Sequence, residues 1–416
     1  MTHASPTSSH LRHALCALAM FAALAAGCGG GSDSGVGGGG TGSPLSFSQG
    51  PITGFGSIIV NGVHFDDTPA TVVDDDGNSL ANTQALRLGT VVDVQGGVIS
   101  NDAATASAIH VHVDLVGPVT AAYDATAGQL AVLGQPVRVL STTALDGFSG
   151  GAAAIAVGST VAVSSLYDSA TGVYVATRID PAPNAPRFAI RGAPSAIDAM
   201  ADTFTIGGVV FSYGNVAPPS TFAIGDLLRA VLAPAKDSHG RWVVTAFGQA
   251  RPTLPDGRRG GVQGVVSSAA DATHFVVNGV TVDASQATVT PTGAAIGVQA
   301  RVEVRGTVAA GVLVATSVHL DARNDGDDDD DNGNGNGNTG GSGDLGRFEI
   351  DGPVLTLDTV HQALTMRGPT TVSYATAVFA GGGKVSDLAV GKQIEVRGNL
   401  SADGSQVIAT QIKFGH

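Results

Sequence analysis

The 416-residue chain contains only two cysteines, Cys16 and Cys28. We expect Cys16 to be removed with an N-terminal targeting segment, so the mature chain would form no internal disulfide. Aromatic residues are also scarce, at 5% of the chain, with Trp242 as the single tryptophan. This scarcity argues against binding of single-stranded nucleic acid or sugars, which stack on aromatic side chains. The stability of the fold must therefore come from burial of aliphatic side chains.

Positive charge is scarce as well. The 21 lysines and arginines are outnumbered by 35 aspartates and glutamates, which gives a formal net charge of −14 at pH 7. Nucleic-acid binding needs a basic face, so we expect no nucleic-acid partner. The sequence also lacks a phosphate-binding loop, a paired CxxC motif and a coherent acid–base pair. These absences favour a non-enzymatic protein that needs no cofactor.

The N-terminus has the features of a targeting segment. An apolar run from Leu15 to Ala26 is too short to span a membrane and ends in small residues. The following Cys28 completes a string that resembles a bacterial lipobox, which predicts a signal peptide over 1–27 and a lipid on Cys28. Residues 28–49, rich in glycine and serine, would form a flexible tether. The alternative is an ordinary signal peptide that happens to contain a cysteine.

The lipobox resemblance also predicts where the protein is located. In lipoproteins, glycine rather than aspartate after the lipidated cysteine is associated with the outer membrane, and this chain has Gly29. The prediction is therefore a lipid-anchored outer-membrane protein that faces the periplasm or the cell surface. Its partners would be the membrane itself and an envelope protein or a glycan.

The most informative feature is a cassette of roughly 65–75 residues that recurs five times. Each copy begins with a glycine before a strand, has a glycine hairpin, and then has an apolar-Gly-x-x-apolar-x-apolar segment before a last strand. The predicted repeats are 50–115, 116–183, 186–252, 260–321 and 347–416, with an acidic linker over 322–346. We expect residues shared by all copies to serve the fold, and residues unique to one copy not to serve it.

The hairpins define the strand register. Asn61-Gly62 and Asn278-Gly279 predict type I′ turns, in which both central residues need positive φ. Gly207-Gly208 can form the same turn. Leu133 and Arg367 precede the hairpin glycine in copies two and five, where we expect a bulged or longer turn.

Each cassette offers about five short strands with period-two alternation and almost no helical period. This pattern predicts an all-β fold made of tandem small five-stranded barrels of the OB type, with a sandwich as the alternative. Such small units are marginal alone. Packing of neighbouring barrels or strands crossing between repeats would help, and the sequence leaves both open. We expect a beads-on-a-string array in which the fifth copy moves separately.

The repeat resembles a bacterial family catalogued as domain of unknown function 5666. The hairpin glycines and the segment Ala389–Gly398 carry the resemblance, which extends over Gly50–His416 and is weakest in copy three. It implies OB-like barrels in envelope lipoproteins. It supplies no catalytic residue.

Two groups of residues could bind metal ions. Asp328, Asp330 and Asn332 in the linker match the start of a Ca²⁺ loop but lack its distal glutamate, so a solvated spacer is the favoured interpretation and weak Ca²⁺ binding the alternative. His110 and His112 lie two apart on a strand, followed by Asp114, a spacing that can bind zinc. The repeat alignment instead favours a generic exposed polar position for His110. The run Asp74–Asp76 is expected to be an exposed turn.

The leading hypothesis is a non-enzymatic, lipid-anchored envelope protein that acts as a structural or interaction module. The second is a protein that binds a small molecule, a divalent ion or a glycan, with the hairpin mouth near His64, Asp66 and Asp67 as the place to look. An enzyme would need residues assembled from different repeats.

Overall fold

The computed structural model describes residues 46–81, 86–248, 254, 256–320 and 347–415. Regular structure in these residues is β-strand, apart from two 3₁₀ turns at Gly151–Ala154 and Val385–Asp387. The strands form five small barrels, numbered 1 to 5 along the chain. The first strand begins at Ser46, inside the segment expected to be tether.

Barrels 1, 2 and 3 have six, five and six strands. Barrel 1 contains β1 (Ser46–Phe55), β2 (Ile58–Val60), β3 (Val63–Asp66), β4 (Thr71–Asp74), β5 (Val91–Gly96) and β6 (Ala103–His112). Barrel 2 contains β7 (Leu115–Asp124), β8 (Gln129–Val132), β9 (Gln135–Ala144), β10 (Thr160–Asp168) and β11 (Val173–Pro181). Barrel 3 contains β12 (Phe188–Gly192), β13 (Ala196–Asp198), β14 (Thr203–Ile206), β15 (Val209–Ser212), β16 (Leu228–Lys236) and β17 (Trp242–Gly248).

Barrels 4 and 5 complete the chain. Barrel 4 contains β18 (Arg259–Ala269), β19 (His274–Val277), β20 (Val280–Asp283), β21 (Thr288–Thr290), β22 (Arg301–Ala309) and β23 (Val312–Leu320). Barrel 5 contains β24 (Phe348–Pro353), β25 (Thr356–Asp358), β26 (Ala363–Met366), β27 (Thr370–Ser373), β28 (Val378–Ala380), β29 (Gln393–Leu400) and β30 (Val407–Phe414).

All five barrels share one pairing order, which confirms the predicted OB-like architecture. In barrel 1, β1, β2 and β3 form an antiparallel meander, and β3 then pairs in parallel with the last strand, β6. The barrel closes because β5 lies antiparallel between β6 and β1. In barrels 3 and 5 the first strand is interrupted, as β12–β13 and β24–β25. Closure removes most of the exposed strand edges that a small open sheet would leave.

The hairpin turns follow the glycines. Asn61 and Gly62 both have positive φ, at 52° and 64°, and Gly207-Gly208 and Asn278-Gly279 behave in the same way, as predicted. Leu133-Gly134 also adopts this two-residue turn, so the bulged turn expected in copy two is wrong. The hairpin of copy five has a three-residue loop between Met366 and Thr370, as expected for a longer turn.

The barrels are not arranged as beads on a string. The apolar cores of barrels 1 and 5 form one continuous cluster, and those of barrels 2 and 3 form another. Strands also pair between barrels: β1 is parallel to β18 at Phe47↔Gly260 and to β24 at Phe55↔Ile350, and β7 is antiparallel to β12. The fifth copy is therefore joined to the first. Merging the cores buries apolar surface that a unit of this size cannot bury alone.

Candidate functional site

A cluster of buried charged side chains lies where barrel 1 meets barrels 2 and 3. Strand β4 runs parallel to β6 with Asp74 opposite Val111, so the turn after β4 lies beside the end of β6, where His112 is found. The Asp74 carboxylate accepts hydrogen bonds from the backbone N–H groups of Asp76 and Asn78. This fixes the turn and directs Asp75 into the junction, where its side chain is 5% exposed.

His112 lies between two carboxylates of its own barrel. Its Nδ1 is 2.8 Å from Asp75 Oδ1, and its Nε2 is 2.9 Å from Asp93 Oδ2. Burial alone would lower the pKa of His112, but the Asp93 and Asp75 carboxylates outweigh it and raise that pKa to about 9. With an acceptor at each ring nitrogen, the imidazole is held as the doubly protonated cation at neutral pH.

Two arginines of barrel 3 reach the same carboxylates. Arg191 on β12 and Arg229 on β16 are opposite each other in the antiparallel ladder. Arg191 donates to Asp75, and Arg229 Nη1 lies 2.8 Å from Asp76 Oδ1. Burial would raise the pKa of Asp75, but Arg191, His112 and Arg229 together lower it well below its usual range. We call Asp75, Asp93, His112, Arg191 and Arg229 the junction cluster.

Asp114 extends the network toward barrel 2. Its Oδ1 is 3.2 Å from Arg191 Nε, and its Oδ2 accepts a 2.5 Å hydrogen bond from the Ser165 hydroxyl. Burial raises the pKa of Asp114 despite the nearby Arg191. A cavity of about 50 Å³ opens beside it, and its lining includes Gln49 of barrel 1 and Asn278 of barrel 4. A polar space of this size can hold a few water molecules.

The two histidines predicted from the sequence are brought together, but in a different setting. His110, expected at an exposed position, is partly buried, and His112 is buried. The third potential ligand is Asp75 rather than Asp114, because donor atoms of Asp75, His110 and His112 lie within 4.8 Å of one another. The prediction of an exposed turn at Asp74–Asp76 is therefore wrong for Asp75.

The junction cluster does not suit a divalent metal ion. Asp75 already accepts from Arg191, Val113 N and His112, and both His112 ring nitrogens face carboxylates. A metal would have to remove the proton from an imidazole whose pKa is raised, and would add two positive charges beside two guanidinium groups. The arrangement instead neutralises buried charges and ties barrel 3 to barrel 1.

Other arginines join the remaining barrels to barrel 1. Arg178 of barrel 2 is 2% exposed and donates from Nη1 to the Leu88 carbonyl at 3.1 Å. Its Nη2 also lies 2.5 Å from both Asp146 and Asp180. Arg305 of barrel 4 donates to the Asn61 carbonyl at 2.7 Å. Each contact joins a charged group of one barrel to a backbone carbonyl of another.

An arginine of barrel 5 also contacts barrel 1. Arg367 in the hairpin of barrel 5 makes a bidentate ion pair with Asp67. Its guanidinium group also lies over the Phe55 ring, 5.6 Å from the ring centroid. The sequence had marked His64, Asp66 and Asp67 as a possible ligand mouth. Asp67 is instead buried against barrel 5, while His64 and Asp66 stay exposed.

The arginines were missed for an identifiable reason. We expected residues unique to one copy not to serve the fold, and Arg191, Arg229 and Arg367 contradict this. They do not build any single barrel, but they hold the barrels to one another. The signal in the sequence was the departure from the repeat itself: Arg367 replaces the asparagine or glycine found in three other hairpins.

Several predicted sites lie outside the described residues, namely Cys28 and the linker residues Asp328, Asp330 and Asn332. In the part of the chain that the structure describes, no helix is long and apolar enough to cross a membrane.

Comparison with known families gives the chain its place. The profile of the domain of unknown function DUF5666 matches residues 49–110, 116–180, 263–319 and 351–413. The profile thus finds four copies, whereas the sequence predicted five. The unmatched stretch contains barrel 3, whose strands nevertheless pair in the same order. No curated protein shows significant similarity to the chain. Because the four matches cover more than half of its length, the protein belongs to the DUF5666 family.

Proposed function

We propose that the protein is a non-enzymatic scaffold or interaction module of the cell envelope, anchored through a lipid on Cys28. One observation carries the proposal: barrel 1 is joined by arginine side chains to each of the other four barrels. A joined set of barrels presents its loops at fixed separations, which is what an interaction module requires.

The chemistry of the junction cluster supports a non-enzymatic role. It is assembled from different repeats, as an enzyme would have required. However, Asp75, His112 and Arg191 are each at most 7% exposed in their side chains and are paired with one another. A general acid or base must reach the proton that it transfers in a bound substrate. Asp75 and Arg191 pair with each other across barrels 1 and 3, and His112 pairs with carboxylates of its own barrel.

The anchor and address follow from the N-terminal sequence. Cys28 would be lipidated on its sulfur and become the first residue after cleavage of the signal peptide. Gly29 favours delivery to the outer membrane. More than one acyl chain gives firm membrane attachment, and a glycine-rich tether lets the barrels reach a protein or glycan partner. The chain's excess of acidic groups disfavours a nucleic-acid partner.

The test is complementation of a deletion strain, scored by sensitivity of the envelope to detergent. We expect Cys28→Ser to move the protein from the membrane to the soluble fraction and to abolish complementation. Asp75→Asn, which opens the junction, should also fail. An envelope reaction whose turnover is lost on changing one residue, with membrane attachment and stability intact, would show catalysis and contradict the scaffold.

The orientation is measured separately with a C-terminally tagged chain. Digestion by protease in intact cells would place the barrels on the cell surface. Protection until the cells are permeabilised would place them in the periplasm, and either result directs the search for a partner.

The second candidate function is binding of a small molecule, a divalent ion or a glycan. The cavity of about 50 Å³ between barrels 1, 2, 3 and 4 favours a ligand no larger than a small anion, because it holds only a few waters and is lined by Arg191, His112 and Asn278. Thermal unfolding of the purified chain with Ca²⁺, Zn²⁺ and a panel of small anions and glycans tests it. A rise in melting temperature that Asn278→Leu removes would support this function, and the absence of any rise would contradict it.

A further inference from the structure

One junction in the molecule is built from two recurring elements: a glycine turn with positive φ in barrels 1, 2, 3 and 5, and a β-bulge in the last strand of all five barrels. The first is a tight turn, called the corner here, which Leu88 and Gly89 form in barrel 1 just before β5. The second is a β-bulge in the last strand, formed in barrel 2 by Thr177 and followed by Arg178. In this junction the Thr177 hydroxyl donates to the Gly89 carbonyl at 2.6 Å, and Arg178 donates to the Leu88 carbonyl at 3.1 Å.

The contact requires close approach of the two backbones. A Cβ on Gly89 would collide with the Thr177 carbonyl oxygen, so only glycine fits there. Leu88 is 3% exposed and packs in the apolar core that barrels 1 and 5 share. The junction runs in one direction only, because the corresponding corner of barrel 2, at Val157, does not contact the bulge of barrel 1 and is 58% exposed.

The same bulge recurs in every barrel. A serine or threonine occupies it each time, and its hydroxyl donates to a backbone carbonyl of the neighbouring strand; these residues are Ser107, Thr177, Thr245, Thr316 and Thr410. Of these residues, Thr177 alone also reaches a corner, and it shares its single hydroxyl proton between Gly89 O at 2.6 Å and Ser164 O at 3.1 Å. Whether another bulge could also donate to a corner depends on the residue that follows it. That residue is alanine in barrels 1 and 3, a short serine in barrel 4, and Gln411 in barrel 5. Gln411 is exposed, and its amide can donate as Arg178 does.

The corner also recurs with its shape preserved. The glycines of barrels 2, 3 and 5 have φ of 87°, 86° and 83°, against 77° at Gly89. The apolar residues before them, Val157, Ile224 and Val390, are 58%, 63% and 64% exposed. A Cβ on any of these glycines would meet nothing within 4 Å.

Barrel 5 alone adds a second exposed apolar residue to its corner. Leu355 is 51% exposed and follows Val354, whose carbonyl accepts from Gly391 N at 2.8 Å. The corresponding residue of barrel 1 is Thr53, which is buried beside Gly89 and Thr177. Barrel 5 therefore exposes both halves of the junction that joins barrel 1 to barrel 2.

We propose that the corner of barrel 5, at Leu355, Val390 and Gly391, docks on the bulge of barrel 5, at Thr410 and Gln411, in a second copy of this chain. The proposal names a partner for the interaction module and rests on that function. Since the internal junction runs in one direction, copies would join head to tail. Such contacts extend with concentration instead of stopping at a two-fold dimer.

The experiment uses the chain from residue 28 onward with Cys28→Ser, so that neither the signal peptide nor a lipid causes association, and measures its mass by sedimentation velocity across a range of concentrations. We expect the average mass to rise above that of a single copy, which is below the 41.2 kDa of all 416 residues. Val390→Asp and Gln411→Glu should each weaken association by about tenfold or more, as for a central interface residue. Ile224→Asp, which changes the same corner on barrel 3, is the matched control and should leave association unchanged.

Mixing the variants tests the direction of the contact. Val390→Asp keeps its bulge and Gln411→Glu keeps its corner, so an equal mixture should form dimers that cannot extend. A chain that stays monomeric at all concentrations, an equal effect of Ile224→Asp, or a mixture that does not dimerise would each overturn the proposal. Complementation in cells reports on the scaffold independently, so the two can fail separately.

Discussion

Barrel 1 is packed by opposite kinds of residue in two places. Its interior contains aliphatic and aromatic side chains such as Phe65 and Ile109, both fully buried. Its junction with barrel 3 contains Asp75, His112 and Arg191, which are almost as well buried. An apolar interior tolerates many combinations of similar volume, whereas a buried ion tolerates only a partner of opposite charge. The comparison teaches that the repeated residues specify a barrel and the copy-specific charges specify which barrels meet.

The largest effect should come from a charge change at constant shape in the junction. Asp75→Asn leaves Arg191 and His112 buried without their shared carboxylate, and we expect a loss of about 3–5 kcal/mol in the free energy of unfolding. Urea denaturation measures it. Asp102→Asn is the control, since Asp102 also faces another barrel but is exposed, 3.9 Å from Arg305, and should cost less than about 1 kcal/mol. Equal losses would show that the junction charges are not what joins the barrels.

The next effect is a dependence of stability on pH. The pKa of His112 is raised from 6.5 to about 9, so its stabilisation is complete below pH 6.5 and is lost as pH rises through 9. We expect a loss of about 3 kcal/mol across this window. Melting temperatures from pH 6 to pH 10 measure it, and His112→Gln should flatten the curve. The exposed His274→Gln is the matched control, and an unchanged curve in His112→Gln would contradict the assignment.

On the acid side the carboxylates dominate. The pKa values of Asp75 and Asp93 are lowered because His112 and Arg191 outweigh the effect of burial, so their stabilisation is present above pH 3.8 and is lost as pH falls further. Burial lowers the pKa of His110 and raises the pKa of Asp114. Protonation of His110 adds to the acid loss, and Asp114 opposes it. Stability should therefore be greatest near pH 6.5, because the contribution of His112 falls above this pH and protonation of His110 removes stability below it.

A smaller effect should separate barrel 5 from barrel 1. Arg367→Met removes the charged hydrogen bonds to Asp67 together with the guanidinium group that lies over Phe55, which should cost about 1.5–3 kcal/mol. Calorimetry should then show barrel 5 melting before the rest of the chain. Arg397→Met, at an exposed position of the same barrel, should leave one transition. A single transition in Arg367→Met would mean that the shared core joins these barrels without the ion pair.

The smallest effect should come from a conservative change inside barrel 1. Ile109→Val removes one methylene group from a fully buried position and should cost about 0.5–1.5 kcal/mol. The urea midpoints of Ile109→Val and Asp75→Asn, compared directly, show how much more stability is lost at the junction than in the interior. A loss as large as that of Asp75→Asn would remove the contrast.

The sequence was a good guide to each barrel and a poor guide to the junctions. Period-two alternation and Asn-Gly turns act over a few residues, so the hairpins at Asn61 and Asn278 could be predicted. The histidine spacing also located one part of the candidate site. The partners of His112 could not be predicted, because Asp75 comes from a distant turn and Arg191 from another barrel. Pairing across such separations depends on how whole barrels pack.

The pairing of β1 has a consequence for how the molecule is made. This strand comes first in the described chain, yet it lies beside β18 and β24, which come roughly two hundred and three hundred residues later. While the chain is being synthesised, β1 can pair with β2 and β5 of its own barrel, but the other side of the strand at Phe47 and Phe55 has no neighbour until β18 and β24 emerge. Unpaired strand edges invite pairing with other chains. Barrel 1 is made first yet is the last to gain all its neighbours, and the docking of barrels 4 and 5 on it should be the slow, aggregation-sensitive step.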